Sequence, residues 1–272
     1  MAARLFTCFA RGGGGSRGSS PVENAAATAD LSLEEQKRCG PVLVELFSSQ
    51  GCATSPGAEA IATRLGRGDA GLDVPVAVLV FHVEYWDHVG WKDPFGSSMW
   101  TVRQKAYVES LRLDTLYTPQ VVVHGRTELV GNEEEKIVDA VRAAPRFPSP
   151  TMKATFSKPS PSTLQVSFSG ALRSKVDSSG ADVMVALYES GLVTDCTKGE
   201  NKDKVLSNDY VVRRLEKVAS VKDVGPKKSL TGTVTLELWE GFNAAKCGLL
   251  LFVQNGSYHT FGTQQYQIPD TV

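Results

Sequence analysis

Two short, almost uninterrupted apolar runs constrain the fold of this chain most strongly. They are "PVLVELF" at residues 41–47 and "VPVAVLVFHV" at residues 74–83. A strand with one face in water alternates apolar and polar residues, whereas a strand covered on both faces is apolar almost throughout. We therefore predict two buried strands that are parallel neighbours in one sheet.

A helix is predicted between these strands, in "SPGAEAIATRLGRG" at residues 55–68. Pro56 suits the first helical turn, and Gly66 and Gly68 are typical of a helix end. Further along, the sequence predicts an aromatic loop at 84–100, a helix at 97–113 whose start overlaps the loop, a hairpin at 117–131 and a helix at 132–144. The predicted element order is β-α-β-α-β-β-α, an α/β N-terminal domain.

The prolines of "PRFPSP", residues 145–150, indicate a break, because proline removes amide donors and fixes φ. Beyond it we predict strands in "LQVSFSG", "ADVMVALYE", "DYVVRRLEKVA", "LTGTVTLELW", "GLLLFVQN" and "HTFGTQQYQI". This pattern favours a β-rich, sandwich-like C-terminal domain. The predicted organisation is a flexible tail and polar lead-in at 1–38, domains at 39–145 and 151–272, and a linker at 146–150.

Composition restricts the partners and the compartment. The 272 residues are 42% hydrophobic and 22% charged with a formal net charge of −1, so we expect no nucleic-acid partner. No apolar stretch has the roughly 18 to 20 residues of a transmembrane segment. Five cysteines form a sparse, odd set that favours a reducing compartment, and we expect a cytoplasmic protein. The basic, Ser/Gly-rich N-terminus leaves a plastid or a mitochondrion as the alternative.

A single cysteine lies where the first strand meets the first helix, in "SSQGCATSP". A helix N-terminus presents unpaired amides and a positive dipole end, which favour thiolate over thiol at Cys52. Ser55 lies three residues further on, so its hydroxyl can donate a hydrogen bond to the sulfur. We predict Cys52 and Ser55 as catalytic residues. The alternative is a small buried cysteine with no chemistry.

The element order, with a cysteine after the first strand and Thr118-Pro119 opening the hairpin, is similar to the thioredoxin fold. Four stretches, "VELFSSQGC", "FHVEYWDHVGWKDPF", "YTPQVVVHGR" and "GENKDKVLSNDYVVRRL", resemble the thioredoxin-like family catalogued as domain of unknown function 1223. The resemblance implies a thioredoxin-like N-terminal domain with a cis peptide bond at Pro119. That family typically carries C-x-x-C followed by Pro-Pro. Here Ser55 replaces the second cysteine, a C-x-x-S variant.

Without a second thiol, the dithiol cycle of the family pattern does not carry over, because a resolving cysteine must attack the mixed disulfide. Cys39 does not replace it, since the intervening strand spans about 20 Å and a disulfide needs Cα atoms within about 7 Å. Cys196, in a polar loop that is a candidate to fold back over the site, remains an alternative resolving thiol. Cys247 is expected in the core.

The expected function is monothiol thiol-disulfide exchange, or thiol-dependent binding, at Cys52. Protein thiols or glutathione are the expected partners, and no cofactor is expected beyond glutathione as a co-substrate. The alternative is a non-enzymatic peptide or protein interaction module with a vestigial redox site.

Substrate contact is predicted at the carboxyl ends of the strands, where ligands bind in open α/β sheets. The predicted substrate-binding residues are Thr118, Pro119, Tyr85, Trp86 and Trp91. Alternatively, the tryptophans cap the core or pack the second domain onto the first. A metal interpretation of the acidic and histidine side chains between His82 and His88 is set aside, because strand alternation separates some of them.

Overall fold

The computed structural model describes residue 35 and residues 37–176, 180–222 and 229–272. Most of the predicted N-terminal tail lies outside these residues. Three α-helices are described: α1 Ser55–Arg67, α2 Ser98–Ser110 and α3 Glu134–Ala143. Short 3-10 helices cover Asp87–Val89 and Ala244–Lys246. The thirteen described strands are β1 Val42–Ser48, β2 Val76–His82, β3 Gln120–Val123, β4 Thr127–Val130, β5 Thr151–Ser160, β6 Thr163–Ala171, β7 Ala181–Glu189, β8 Leu192–Cys196, β9 Lys204–Asn208, β10 Val211–Val221, β11 Ser229–Glu237, β12 Cys247–Asn255 and β13 Thr260–Gln267.

One mixed sheet of eight strands dominates the molecule, in the order β13-β12-β7-β10-β2-β1-β3-β4. The prediction of a self-contained α/β, thioredoxin-like N-terminal domain is therefore wrong. The C-terminal strands β7, β10, β12 and β13 also do not form a separate sandwich, because they extend the same sheet. The structure is mostly β, with a large sheet that crosses the predicted linker.

The physical reason lies at the edge of β2. Val211 of β10 pairs with Val80, and the Val80 amide donates to the Tyr210 carbonyl oxygen at 2.9 Å. The apolar runs of both halves then meet on one face of the sheet, where Phe47 and Phe81 share a buried cluster with Phe252. Joining the sheets satisfies backbone groups at the β2 edge and buries apolar side chains from both halves in one core.

Individual pairings within the sheet agree with the sequence. The prediction that β1 and β2 are parallel neighbours is confirmed, with Val42 opposite Val76 and Ser48 opposite His82. The predicted antiparallel hairpin of β3 and β4 is also confirmed. The domain boundaries themselves stay a prediction.

Two smaller sheets complete the fold. Strands β11, β6 and β5 form a three-stranded sheet, and its buried side chains, such as Leu164 and Val166, pack with Val185 and Leu251 of the large sheet. Strands β8 and β9 form a hairpin of their own, with Thr194 opposite Leu206. The loop at the end of this hairpin, residues 197–203, is the part that reaches the candidate site.

A buried ion pair joins the two halves beneath α2. The guanidinium of Arg103 contacts Glu45 of β1, with Nη2 at 2.6 Å and Nε at 2.7 Å from Glu45 Oε1. Tyr107 also donates to Glu45, and Gln254 of β12 lies within 3.4 Å of the guanidinium. The Arg103 guanidinium is therefore paired with a carboxylate of the first half of the chain and packs against a side chain of the second half.

Among the described helices, none is both long and apolar enough to cross a membrane.

Candidate functional site

The turn that carries Cys52 lies between β1 and α1. Strand β1 ends at Ser48, and helix α1 begins at Ser55 with Pro56 in its first turn. Thr54 is the N-cap residue, but its side chain makes no capping hydrogen bond. The Thr54 hydroxyl lies instead 3.4 Å from Cys52 Sγ. Local sequence thus gives the sulfur a polar neighbour at the start of the helix.

The predicted hairpin residues lie on the other side of the sulfur. The Thr118–Pro119 peptide bond is cis, which confirms that prediction. The Thr118 carbonyl oxygen is 3.7 Å from Cys52 Sγ, a distance at which the thiol donates a weak hydrogen bond. Pro119 is buried, and its own carbonyl accepts from the Gly131 amide at 2.9 Å. The fold therefore brings Cys52, Ser55, Thr118 and Pro119 together.

Two hydroxyl groups near the sulfur have their acceptor side already occupied. The Ser49 amide donates to Ser55 Oγ at 3.3 Å, and the Trp86 indole donates to Thr118 Oγ1 at 2.7 Å. A hydroxyl that accepts in this way keeps its own proton free to donate. The arrangement therefore leaves both hydroxyl protons available to a thiolate at Cys52.

The electrostatics of Cys52 follow from these groups. Burial disfavours the charged form, but hydrogen bonds from Ser55, Thr118 and Thr54 outweigh it and hold the pKa of the Cys52 thiol below its ordinary value. The other described cysteines behave in the opposite way. Burial raises the pKa of Cys39 and Cys196, and it raises the pKa of Cys247 to about 12.

Accessibility limits what this thiol can reach. Cys52 is only 1% exposed, and all four described cysteines are free. Cys196 is also buried, and its thiol donates to the Lys198 carbonyl at 3.2 Å. A disulfide substrate needs direct contact with Sγ, so the residues around the turn have to move before exchange.

The aromatic residues of the 84–97 loop divide into two groups. Tyr85 and Trp86 are half-buried with ring centroids 6.3 Å apart, and Trp86 reaches Thr118 as described. Trp91 points elsewhere, and its indole donates to Gln50 Oε1 at 3.1 Å. The structure thus places Tyr85 and Trp86 on the sulfur side and Trp91 on the Gln50 side of the turn. Substrate contact by any of them stays a prediction.

The 197–203 loop covers the Cys52 turn, as the sequence suggested for this segment. Asn201 is fully buried, and its side-chain amide donates to the carbonyl oxygens of Gln50 and Cys52, each at 2.9 Å. Gly199, with φ of 74°, packs so closely that an added Cβ would lie 3.0 Å from Trp91 Cβ. The candidate site is therefore built from both halves of the chain.

Sequence reasoning missed a group of polar residues beneath the turn, and it considered one member, His82, only as a metal ligand. Its members are buried side chains that contact the turn or one another: Glu59, His82, Asp93, Asn201 and Asn208. The available signals were two of the stretches that resemble the family: "GENKDKVLSNDYVVRRL" contains Asn201 and Asn208, and "FHVEYWDHVGWKDPF" contains His82 and Asp93. Among the described residues, no group of three or more potential ligands could hold a metal ion.

Comparison with known proteins identifies the family of this chain. The family model described as "Protein of unknown function (DUF1223)" matches residues 43–254. The X-ray structure of protein AGR_C_4864 from Agrobacterium tumefaciens is 25% identical, with 85% of this chain and 96% of that chain covered and a TM-score of 0.57. HBP35 of Porphyromonas gingivalis is similar in fold alone, with 14% identity, coverage of 85% and 76%, and a TM-score of 0.55. No curated protein matches the chain.

Proposed function

The chain belongs to the DUF1223 family, and we propose that its candidate site performs monothiol thiol-disulfide exchange at Cys52, in a C-x-x-S variant of the family motif. The observation that carries the proposal is the set of hydroxyl donors around one buried sulfur. Cys52 is the one cysteine of the four described whose pKa is lowered: burial opposes the thiolate, and the Ser55, Thr118 and Thr54 hydrogen bonds overcome it.

The proposed reaction is balanced with external thiols. The Cys52 thiolate attacks one sulfur of a glutathione or protein disulfide, the S–S bond breaks, and the other sulfur leaves as a thiolate. A second, external thiol then attacks the mixed disulfide and releases Cys52. Ser55 donates a hydrogen bond to the Cys52 thiolate and takes no part in electron transfer. The four cysteines within the described residues are free, in accord with the reducing, cytoplasmic compartment that we propose.

Mass-resolved alkylation of the native protein tests this proposal directly. Exposure alone favours modification of Cys39 and Cys247, which are half-buried, whereas thiolate content favours Cys52. We expect Cys52 to react fastest at pH 7, with a midpoint below the value of about 8.5 of an ordinary thiol. Oxidised glutathione should form a mixed disulfide at Cys52 that reduced glutathione removes.

Two serine variants make the test specific. Ser55→Ala should raise the midpoint for Cys52 because it removes a donor to the thiolate. Ser98→Ala is the matched control, since Ser98 is the first residue of α2 and is exposed. A native Cys52 that does not react, in a protein whose other cysteines do, contradicts the proposal.

The 1% exposure of Cys52 specifically favours a second candidate function, a non-enzymatic peptide or protein interaction module. In that case the sulfur is a packing group and partner binding does not need it. Cys52→Ser then leaves partner binding unchanged, whereas thiol exchange is abolished by the same change.

A further inference from the structure

A cluster of three ionisable side chains lies buried beneath the Cys52 turn. We call it the buried triad: Glu59 of α1, His82 at the end of β2, and Asp93 of the aromatic loop. His82 Nδ1 lies 2.7 Å from Asp93 Oδ2, and His82 Nε2 lies 3.7 Å from Glu59 Oε1. Each member is at least nine-tenths buried. Buried ions are costly and add little stability by themselves, so their presence calls for another role.

The position of the triad follows from strand register. Ser48 and His82 are opposite each other at the last pair of the parallel strands β1 and β2. The chain after Ser48 turns toward Cys52, while the chain after His82 enters the aromatic loop and returns at Asp93. The imidazole therefore lies at the base of the turn, between a carboxylate from α1 and one from the loop.

Asp93 holds a residue of the turn, and Glu59 holds the last residue of β1, from which the turn starts. Asp93 Oδ2 accepts from the Gln50 amide at 2.7 Å, and Glu59 accepts from the Ser48 hydroxyl. Between these two anchored residues is Ser49, whose amide donates to Ser55 Oγ. His82 thus contacts Asp93 by a hydrogen bond and Glu59 by a 3.7 Å ion-pair approach. The carboxylates hold residues 48 and 50, and the backbone between these residues places the Ser49 amide on the hydroxyl beside the sulfur.

His82 supplies the positive charge of this cluster. Burial disfavours the imidazolium, but Asp93 and Glu59 outweigh it and raise the pKa of His82 to about 9. Arg213, a further charged group that acts on His82, opposes the protonated form. For Asp93 the burial effect is overcome by His82 and backbone amides, which lower its pKa, whereas burial raises the pKa of Glu59.

We propose that His82 is a positioning residue for Cys52. As the cation between Asp93 and Glu59, it fixes the two carboxylates that hold Gln50 and Ser48, and so keeps the Ser55 hydroxyl aimed at the sulfur. Loss of the cation loosens the turn and reduces the fraction of Cys52 thiolate. This inference rests on the thiol chemistry proposed above.

The test is the pH dependence of Cys52 alkylation in the full chain, with iodoacetamide as the probe. In His82→Gln, which keeps an amide toward Asp93 but carries no charge, the Cys52 midpoint should rise by about one pH unit, or roughly tenfold less thiolate below the midpoint. His88→Gln, an exposed histidine in the same loop, is the matched control and should leave the midpoint unchanged.

A second measurement does not need His82→Gln. Because the imidazolium and the thiolate stabilise each other by the same factor, Cys52→Ser should lower the midpoint of His82, followed by nitrogen-15 NMR, by about one pH unit. If His82→Gln does not fold, this comparison decides: the same His82 midpoint with and without the Cys52 thiol overturns the inference.

The two proposals fail in different ways. A Cys52 that reacts with the same midpoint in the unmodified protein and in folded His82→Gln overturns the positioning role and leaves thiol exchange standing. A Cys52 that does not react in the unmodified protein overturns both.

Discussion

Removing one partner of the Glu45–Arg103 ion pair should destabilise the protein strongly. The two side chains are 0% and 6% exposed, so a lone guanidinium left in this core has little water, and its close hydrogen-bonding neighbours Tyr107 and Gln254 are neutral. Breaking a buried pair in this way costs about 3 to 5 kcal/mol. For a chain of this size, that loss lowers Tm by roughly 10 °C.

A double-mutant cycle measures this coupling. We expect Glu45→Leu and Arg103→Met each to lower the free energy of unfolding by about 3 to 5 kcal/mol in urea, and the double variant to cost far less than their sum. Asp139→Ala is the control, because its pair with Arg142 is 77% and 56% exposed and should contribute less than about 1 kcal/mol.

Two results would refute the reasoning. Single variants that cost no more than the Asp139→Ala control would mean that Arg103 is not a buried, paired charge. Separate unfolding transitions for the two halves would contradict the shared core, in which Arg103 packs against Phe81 of the first half and Phe252 of the second.

Three further predictions concern the site. Burial lowers the pKa of His82, but the two carboxylates outweigh this effect and raise the pKa to about 9. The protonated imidazole therefore stabilises the fold fully below about pH 6.5, and this stabilisation is lost as pH rises through 9. The free energy of unfolding in urea should therefore fall by up to about 3 kcal/mol over this range in the unmodified protein, but not in His82→Gln. A free energy of unfolding that does not change with pH in the unmodified protein contradicts this prediction. Asn201→Ala removes two hydrogen bonds to the Cys52 turn, about 2 kcal/mol together, and should speed Cys52 alkylation by roughly thirtyfold. Lys202→Ala, at an exposed neighbouring residue, should leave the Cys52 alkylation rate unchanged. Equal alkylation rates in Asn201→Ala and Lys202→Ala would mean that the 197–203 loop does not restrict access to Cys52. Trp86→Phe keeps the ring but loses the donor to Thr118, so the Cys52 alkylation midpoint should rise, whereas Trp239→Phe serves as a control without effect on it.

Sequence patterns predicted the elements better than their assembly. Strands β1 and β2 are predictable because every residue of β1, and nearly every residue of β2, is buried. Strand β5 was missed because most of its residues are exposed, and it contains Lys158 and Pro159. Strands β8 and β9 are short and carry polar residues. The union of the two halves rests on the pairing of β2 with β10, more than 130 residues apart, and local periodicity carries no signal for such a contact.

In the candidate site, too, residues close together in the sequence were predictable and those brought together by the fold were not. Cys52 and Ser55 are three residues apart, so helix geometry predicts their proximity, and the resemblance identified Thr118 and Pro119. Asp93 and His82 are separated by eleven residues and meet only because a loop returns to the end of β2. Asn201 reaches the turn from the loop between β8 and β9; the resemblance pointed to this segment, but no local pattern marks Asn201 itself as a partner of Cys52.

The distance along the chain between Cys52 and Asn201 has a consequence for protein synthesis. The two residues that meet at the turn are 149 positions apart. At about 5 to 20 residues per second, roughly 7 to 30 s pass between translation of the cysteine and translation of the asparagine that covers it. During that interval the nascent chain carries Cys52 without its Asn201 cover, so newly made polypeptide is the form most open to oxidants and electrophiles.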